Sequence, residues 1–159
     1  MKNLFISILC ITISSVYGGE DCCLTIGSPI PSSKVAFHAR LTPHVTLGST
    51  QTVIFDHVLT NICKAYNEHT GYFTAPFNGI YIFACTFLQT GDKSVHLQMV
   101  HDSSEISKGH AASSTGAQGG SMNAVVYLHK GDVVKVRHYP GLGSQTIHGC
   151  WSFVTGYLV

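Results

Sequence analysis

From Lys34 to Val159 the chain alternates short apolar runs with Gly, Pro, Asn, Asp and Ser, the punctuation of an all-β domain. Val35, Phe37, Ala39 and Leu41 alternate with Ala36, His38 and Arg40. That period of two predicts a half-buried strand. Ile80 to Leu88 is almost wholly apolar or aromatic, and Pro76, Asn78 and Gly79 precede it. The flanking breakers and the aromatic content favour a strand covered on both faces over a buried helix. Val95, Leu97 and Met99 alternate with His96 and Gln98. Ala124–His129 and Val133–His138 read as two strands joined by the tight turn Lys130-Gly131-Asp132. Trp151 to Val159 reads as a closing, aromatic-rich strand. Ala111 to Ser121 is small and polar, with Gly116, Gly119 and Gly120, which predicts a mobile surface loop. No long amphipathic helix is visible, and strands at this spacing build a sandwich or barrel.

The first 33 residues break this pattern. Lys2, the apolar run Leu4–Val16 and the sequence Val16-Tyr17-Gly18 predict a signal peptide over residues 1–18. The run falls short of the roughly 20 residues that span a bilayer, and no later segment could span one. Residues 19–33, with Pro29 and Pro31 and no periodicity, read as an N-terminal arm. They hold neither a Gly-X-Y repeat nor heptads. Residues 34–159 are then one globular domain. The expected location is extracellular, where disulfides form. Cys22, Cys23, Cys63, Cys85 and Cys150 follow the predicted cleavage point, an odd number that leaves one thiol free or bonded to another chain. Cys22 and Cys23 are adjacent, a poor geometry for bonding each other, and are the candidates for interchain links.

Charge narrows the functional classes. Charged residues make up 11% of the chain and the net charge is +1 with histidine neutral. Neither sign clusters, so a nucleic-acid surface or a polybasic membrane patch is not expected. The ten histidines make the charge sensitive to mild acid. There is no GxSxG, Walker, HExxH or CxxC pattern, so the chain is not expected to be an enzyme. His96 and His101, five apart, fall on opposite faces of a continuous strand. His38, His129 and His138 are expected as isolated surface imidazoles. Asp92, in the turn after Ile80–Leu88, is the candidate metal ligand. Calcium is the cofactor it would serve, although one Asp supplies few of the six to eight oxygens, roughly, that calcium takes.

A spaced series then stands out: Phe55, Asn61, Tyr66, Phe73, Gly79, Tyr81 and Phe83. With Thr70-Gly71-Tyr72, Leu128, Gly131-Asp132, Val134 and the closing Phe153–Val159, it resembles the complement C1q domain family over Lys34–Val159. The last aromatic position of that pattern is Cys85 here. The resemblance implies a ten-stranded jelly-roll sandwich, similar to the tumour necrosis factor fold, assembling as a homotrimer. It also implies that the strand of Cys85 lies beside the strand that follows Cys150, hence a Cys85–Cys150 disulfide.

A lone head domain behind a signal peptide resembles the short, collagen-less secreted members found in invertebrates, molluscs especially. The implied role is lectin-like pattern recognition in innate immunity. The implied partners are microbial glycans or lipopolysaccharide, often with calcium, and trivalency would strengthen weak single sites. Two other classes are expected alternatives: a histidine-rich extracellular metal- or calcium-binding or matrix protein, and a cytokine-like receptor ligand. Loops 91–94, 101–120 and 139–147 are where a ligand would be expected to bind.

Overall fold

The computed structural model describes residues 34–90, 94–112 and 116–159. Twelve strands and no helix are present among them. One sheet joins β3 (His57–Ile62), β1 (Ala36–Arg40), β12 (Phe153–Leu158), β6 (Gly79–Leu88) and β9 (Gly119–Leu128), in that order. The other joins β4 (Tyr66–Asn67), β5 (Tyr72–Thr74), β10 (Val133–His138), β7 (Val95–His101) and β8 (Ser104–Ala111). The short strands β2 (Val45–Leu47) and β11 (Gln145–Ile147) pair with each other. The ten strands of the two large sheets form the expected jelly-roll sandwich.

Alternation explains how the sheets meet. Along β1, Phe37 and Ala39 are buried while Ala36 and His38 are half-exposed. Along β6, Tyr81, Phe83, Cys85 and Phe87 point inward. The outward face of β6 is less covered than its composition predicts, with Ile80 49% exposed. The spaced aromatics turn out to be one cluster. Phe37 stacks on Tyr66 at 4.8 Å between ring centroids. Phe73 meets Phe83 edge to face at 5.1 Å. Such contacts stabilise a core beyond their buried area. Asn61 brackets the backbone of Tyr66: its Nδ2 donates to the Tyr66 carbonyl at 2.8 Å, and its Oδ1 accepts from the Tyr66 amide at 3.1 Å. The Tyr66 hydroxyl donates to the Phe55 carbonyl and accepts from the Phe55 amide. The motif residues therefore build and pin the core. Gly79 belongs with them because a Cβ there would lie 2.5 Å from Leu158 Cδ1.

Two expectations are corrected. The glycine-rich stretch is not all loop: Gly119–Ser121 open β9 and pair with Thr86–Leu88. Gly120 lies opposite Phe87, and a Cβ there would come within 2.7 Å of the Phe87 ring. Its small size makes room for a fully buried aromatic, which a mobile-loop reading of small residues overlooks. The Cys85–Cys150 disulfide is not formed, and both thiols are free. The strand adjacency is right, since β6 pairs with β12. Cys85, however, lies opposite Val154 and Met122 and is 1% exposed. Cys150 sits in the turn before β12, exposed, with φ +64°. One side chain is in the core and the other faces solvent. Burial pushes the Cys85 thiol well above its ordinary pKa. Cys63 is disulfide-bonded, to neither of these two. Cys22 and Cys23 lie outside the described residues.

Candidate functional site

The pairing of β7 with β8 sets His96 opposite His110. Directly opposed residues share a face of a sheet. The two imidazoles stack, 4.1 Å between centroids and 19° from parallel. Two residues back on β8, Lys108 joins the same face. Its ammonium stands 5.9 Å above the Tyr139 ring and 3.3 Å from Glu105 Oε1. Together with Leu97 and Gly109, these residues line an open groove of about 360 Å³.

A polar relay supports the groove from behind. Gln145 Oε1 accepts from the His96 amide at 2.7 Å and lies 3.0 Å from His138 Nε2. His138 was expected at the surface and is instead fully buried, with its Nδ1 unpaired. The reason is register: it follows Val134 and Val136 on the inward face of β10. Burial lowers the pKa of His96, and the nearby His110 and His138 lower it further. A ring held neutral this way, with Nδ1 3.1 Å from Gln145 Nε2, keeps Nε2 for a ligand.

A second cluster lies where two turns come together. Asp102 is in the β7–β8 turn and Asp132 in the β9–β10 turn. The backbone ties the turns: the Asp102 amide donates to the Val133 carbonyl, and the Val133 amide donates to Asp102 Oδ1. Between the two carboxylates lies His101, with Nε2 3.0 Å from Asp132 Oδ2 and 3.4 Å from Asp102 Oδ2. The His129 amide donates to Asp132 Oδ2, and that bond, with His101 beside it, holds the Asp132 carboxyl below the ordinary range. Sequence spacing does not reveal this cluster, because Asp132 reaches His101 across the β10–β7 ladder, in which Val134 faces His101.

Of the residues singled out from the sequence, His96 and His101 do fall on opposite faces, and each joins a different cluster. His129 is exposed beside Asp132. Asp92 lies outside the described residues. The structure finds Lys108, His110 and Tyr139 for the groove. His110 lay in a segment whose periodicity did not announce a strand. No helix among the described residues is long and apolar enough to cross a membrane.

Known proteins agree with the architecture. The model of the C1q domain matches residues 36–159. Complement C1q tumor necrosis factor-related protein 3 of Mus musculus is 31% identical over 121 residues, covering 75% of this chain and 47% of that protein. Heavy metal-binding protein HIP of Mytilus edulis is 33% identical over 132 residues, covering 80% of this chain and 62% of that protein. The chain thus matches less than two thirds of either relative. The globular domain of zebrafish complement 1qA superimposes with a TM-score of 0.67 at 21% identity, over 79% of this chain and 97% of that one.

Proposed function

Because the chain belongs to the C1q domain family, we propose that it is a secreted, multivalent recognition protein. Its ligands are microbial carbohydrate or lipopolysaccharide, and its setting is innate immunity. The groove of His96, Lys108, His110 and Tyr139 carries this reading. It offers imidazole and ammonium donors from β7 and β8 beside an aromatic ring in the loop that follows β10. Hydroxyl-rich and anionic sugars ask for such a mixture of a flat apolar face and fixed polar groups. Secretion is supported by the charged start and apolar run at the N-terminus.

Multivalency is supported by the outer face of the β3-β1-β12-β6-β9 sheet. Val125 is 71% exposed and Tyr127 55%, with Ile80 directly opposite Tyr127. A contiguous apolar face marks an interface. Trimers are typical of this family, and three grooves on one particle turn weak contacts into avidity.

The test is binding of the full secreted chain to arrays of microbial glycans and to lipopolysaccharide, with calcium and with chelator. Saturable binding to a restricted subset, lost in a Lys108→Ala/Tyr139→Ala double variant that stays trimeric, supports the reading. Binding to nothing on the arrays by a folded trimer overturns it. A second reading, extracellular metal handling, is favoured by the name of the Mytilus edulis relative together with the paired imidazoles of His96 and His110.

A further inference from the structure

The geometry points to a zinc-class divalent cation site formed by His101, Asp102 and Asp132. The inference deepens the metal-handling reading and rests on it for biological use. The ligand atoms of the site are His101 Nε2, Asp102 Oδ2 and Asp132 Oδ2.

All three lie within 4.8 Å of one another. Zinc binds nitrogen at about 2.0–2.1 Å and carboxylate oxygen at about 2.0–2.2 Å in a tetrahedron, so its ligand atoms stand about 3.3–3.5 Å apart. The separations from His101 Nε2 are 3.4 Å to Asp102 and 3.0 Å to Asp132. An ion enters with adjustments of a few tenths of an ångström along those two edges. His101 Nε2 is shielded from solvent and lies between the two carboxylates, 3.0 Å from Asp132 Oδ2 and 3.4 Å from Asp102 Oδ2. A cation placed between Nε2 and the two oxygens would satisfy all three.

The support around the ligands is already built. Asp102 Oδ1 is occupied by the Val133 amide at 3.2 Å, which turns Oδ2 toward His101. The His129 amide fixes Asp132 Oδ2 at 2.8 Å. Such outer contacts orient metal ligands and tune affinity. Two carboxylates offset a divalent charge. The fourth position faces solvent beside His129, whose Nδ1 is 3.7 Å from Asp132 Oδ2 and whose side chain is 73% exposed. Water or that imidazole completes the shell. Calcium does not fit, since it takes about six to eight oxygens and this set offers two carboxylates and a nitrogen.

The experiment uses the full secreted chain, freed of metal with EDTA. Zinc is titrated by calorimetry, and cobalt(II) is followed by its visible ligand-field bands. The expected result is one tight ion per chain, a tetrahedral cobalt spectrum displaced by zinc, and no competition from millimolar calcium. His101→Gln and Asp132→Asn should each weaken zinc by at least about tenfold. Asp102→Asn, at a more exposed position, repeats the test should either variant melt early. If the wild-type chain binds neither ion tightly, the site and the metal-handling reading both fail. If it binds one ion and all three variants bind it unchanged, the site is overturned while the reading survives, with the ion held elsewhere.

Discussion

His96 and His110 face each other across the β7–β8 ladder with their rings 4.1 Å apart at the centroids. Two imidazoles at that distance resist becoming charged together. His96 is also partly buried, and its pKa lies below the ordinary 6.5, burial being the larger cause and His110 the next. The unfolded chain therefore takes up a proton at this residue before the folded one does. Stability is unaffected above the unfolded value. It falls as pH drops through about 6.5 and levels off once the folded ring is protonated. Thermal melts between about pH 7.5 and 5 should show this decline. His110→Asn removes the second cause and should make the decline shallower. A slope unchanged in that variant would mean the pair is not coupled.

The two free thiols should behave oppositely. Cys150 is exposed, and Cys85 is buried with its thiol pKa pushed up. Only the thiolate reacts. Iodoacetamide on the native protein should modify Cys150 within minutes and leave Cys85 untouched until denaturant is added. Peptide mass mapping before and after unfolding reads the order. Early modification of Cys85 would show that β6 opens readily.

Gly156 is packed between rings. A Cβ there would lie 2.5 Å from Phe83 Cδ1 and 2.6 Å from Phe37 Cε1. Both rings are held by their own neighbours in the aromatic cluster, so neither can retreat cheaply. Gly156→Ala should cost about 1–3 kcal/mol, the usual range for overpacking. Denaturant titration measures it. Gly131→Ala provides a contrast, because nothing lies within 4 Å there and only its φ of +97° resists the change.

The outer apolar face can be tested by charge. Val125 is 71% exposed in the isolated chain and lies opposite Ile82 on β6. Val125→Asp should leave the single chain folded, since its side chain touches no core. It should dissociate the proposed trimer, which sedimentation velocity reports as a fall to one-third of the mass. An intact trimer would place the subunit contact elsewhere.

How far the fold is legible depends on what each residue signals. The motif Phe55, Asn61, Tyr66, Phe73, Gly79, Tyr81, Phe83 carries the architecture because its large side chains are core residues and Asn61 pins the Tyr66 backbone. β8 is harder to see: five of its eight residues, Ser104–Ala111, are polar or charged, so periodicity is faint. Phe87 is visible as apolar, but the need for Gly120 above it arises only once β6 and β9 pair. Both candidate sites are assembled the same way. His96 meets His110, and His101 meets Asp132, through strand pairing. Register is a tertiary quantity, absent from local spacing. The Cys85–Cys150 expectation fails for a related reason: neighbouring strands do not bring two cysteines together unless both side chains face the same way.

The place of β12 between β1 and β6 has a consequence for biosynthesis. β12 is translated after every strand it joins, yet it occupies the middle of its sheet. Until it emerges from the ribosome, β1 and β6 each present an unpaired edge that invites pairing with other nascent chains. Synthesis at about 5–20 residues per second leaves those edges open for seconds. Closure of this sheet therefore waits for β12 in its decisive step. Chains truncated before Phe153 should be clients of chaperones or of proteolysis rather than slightly weakened proteins.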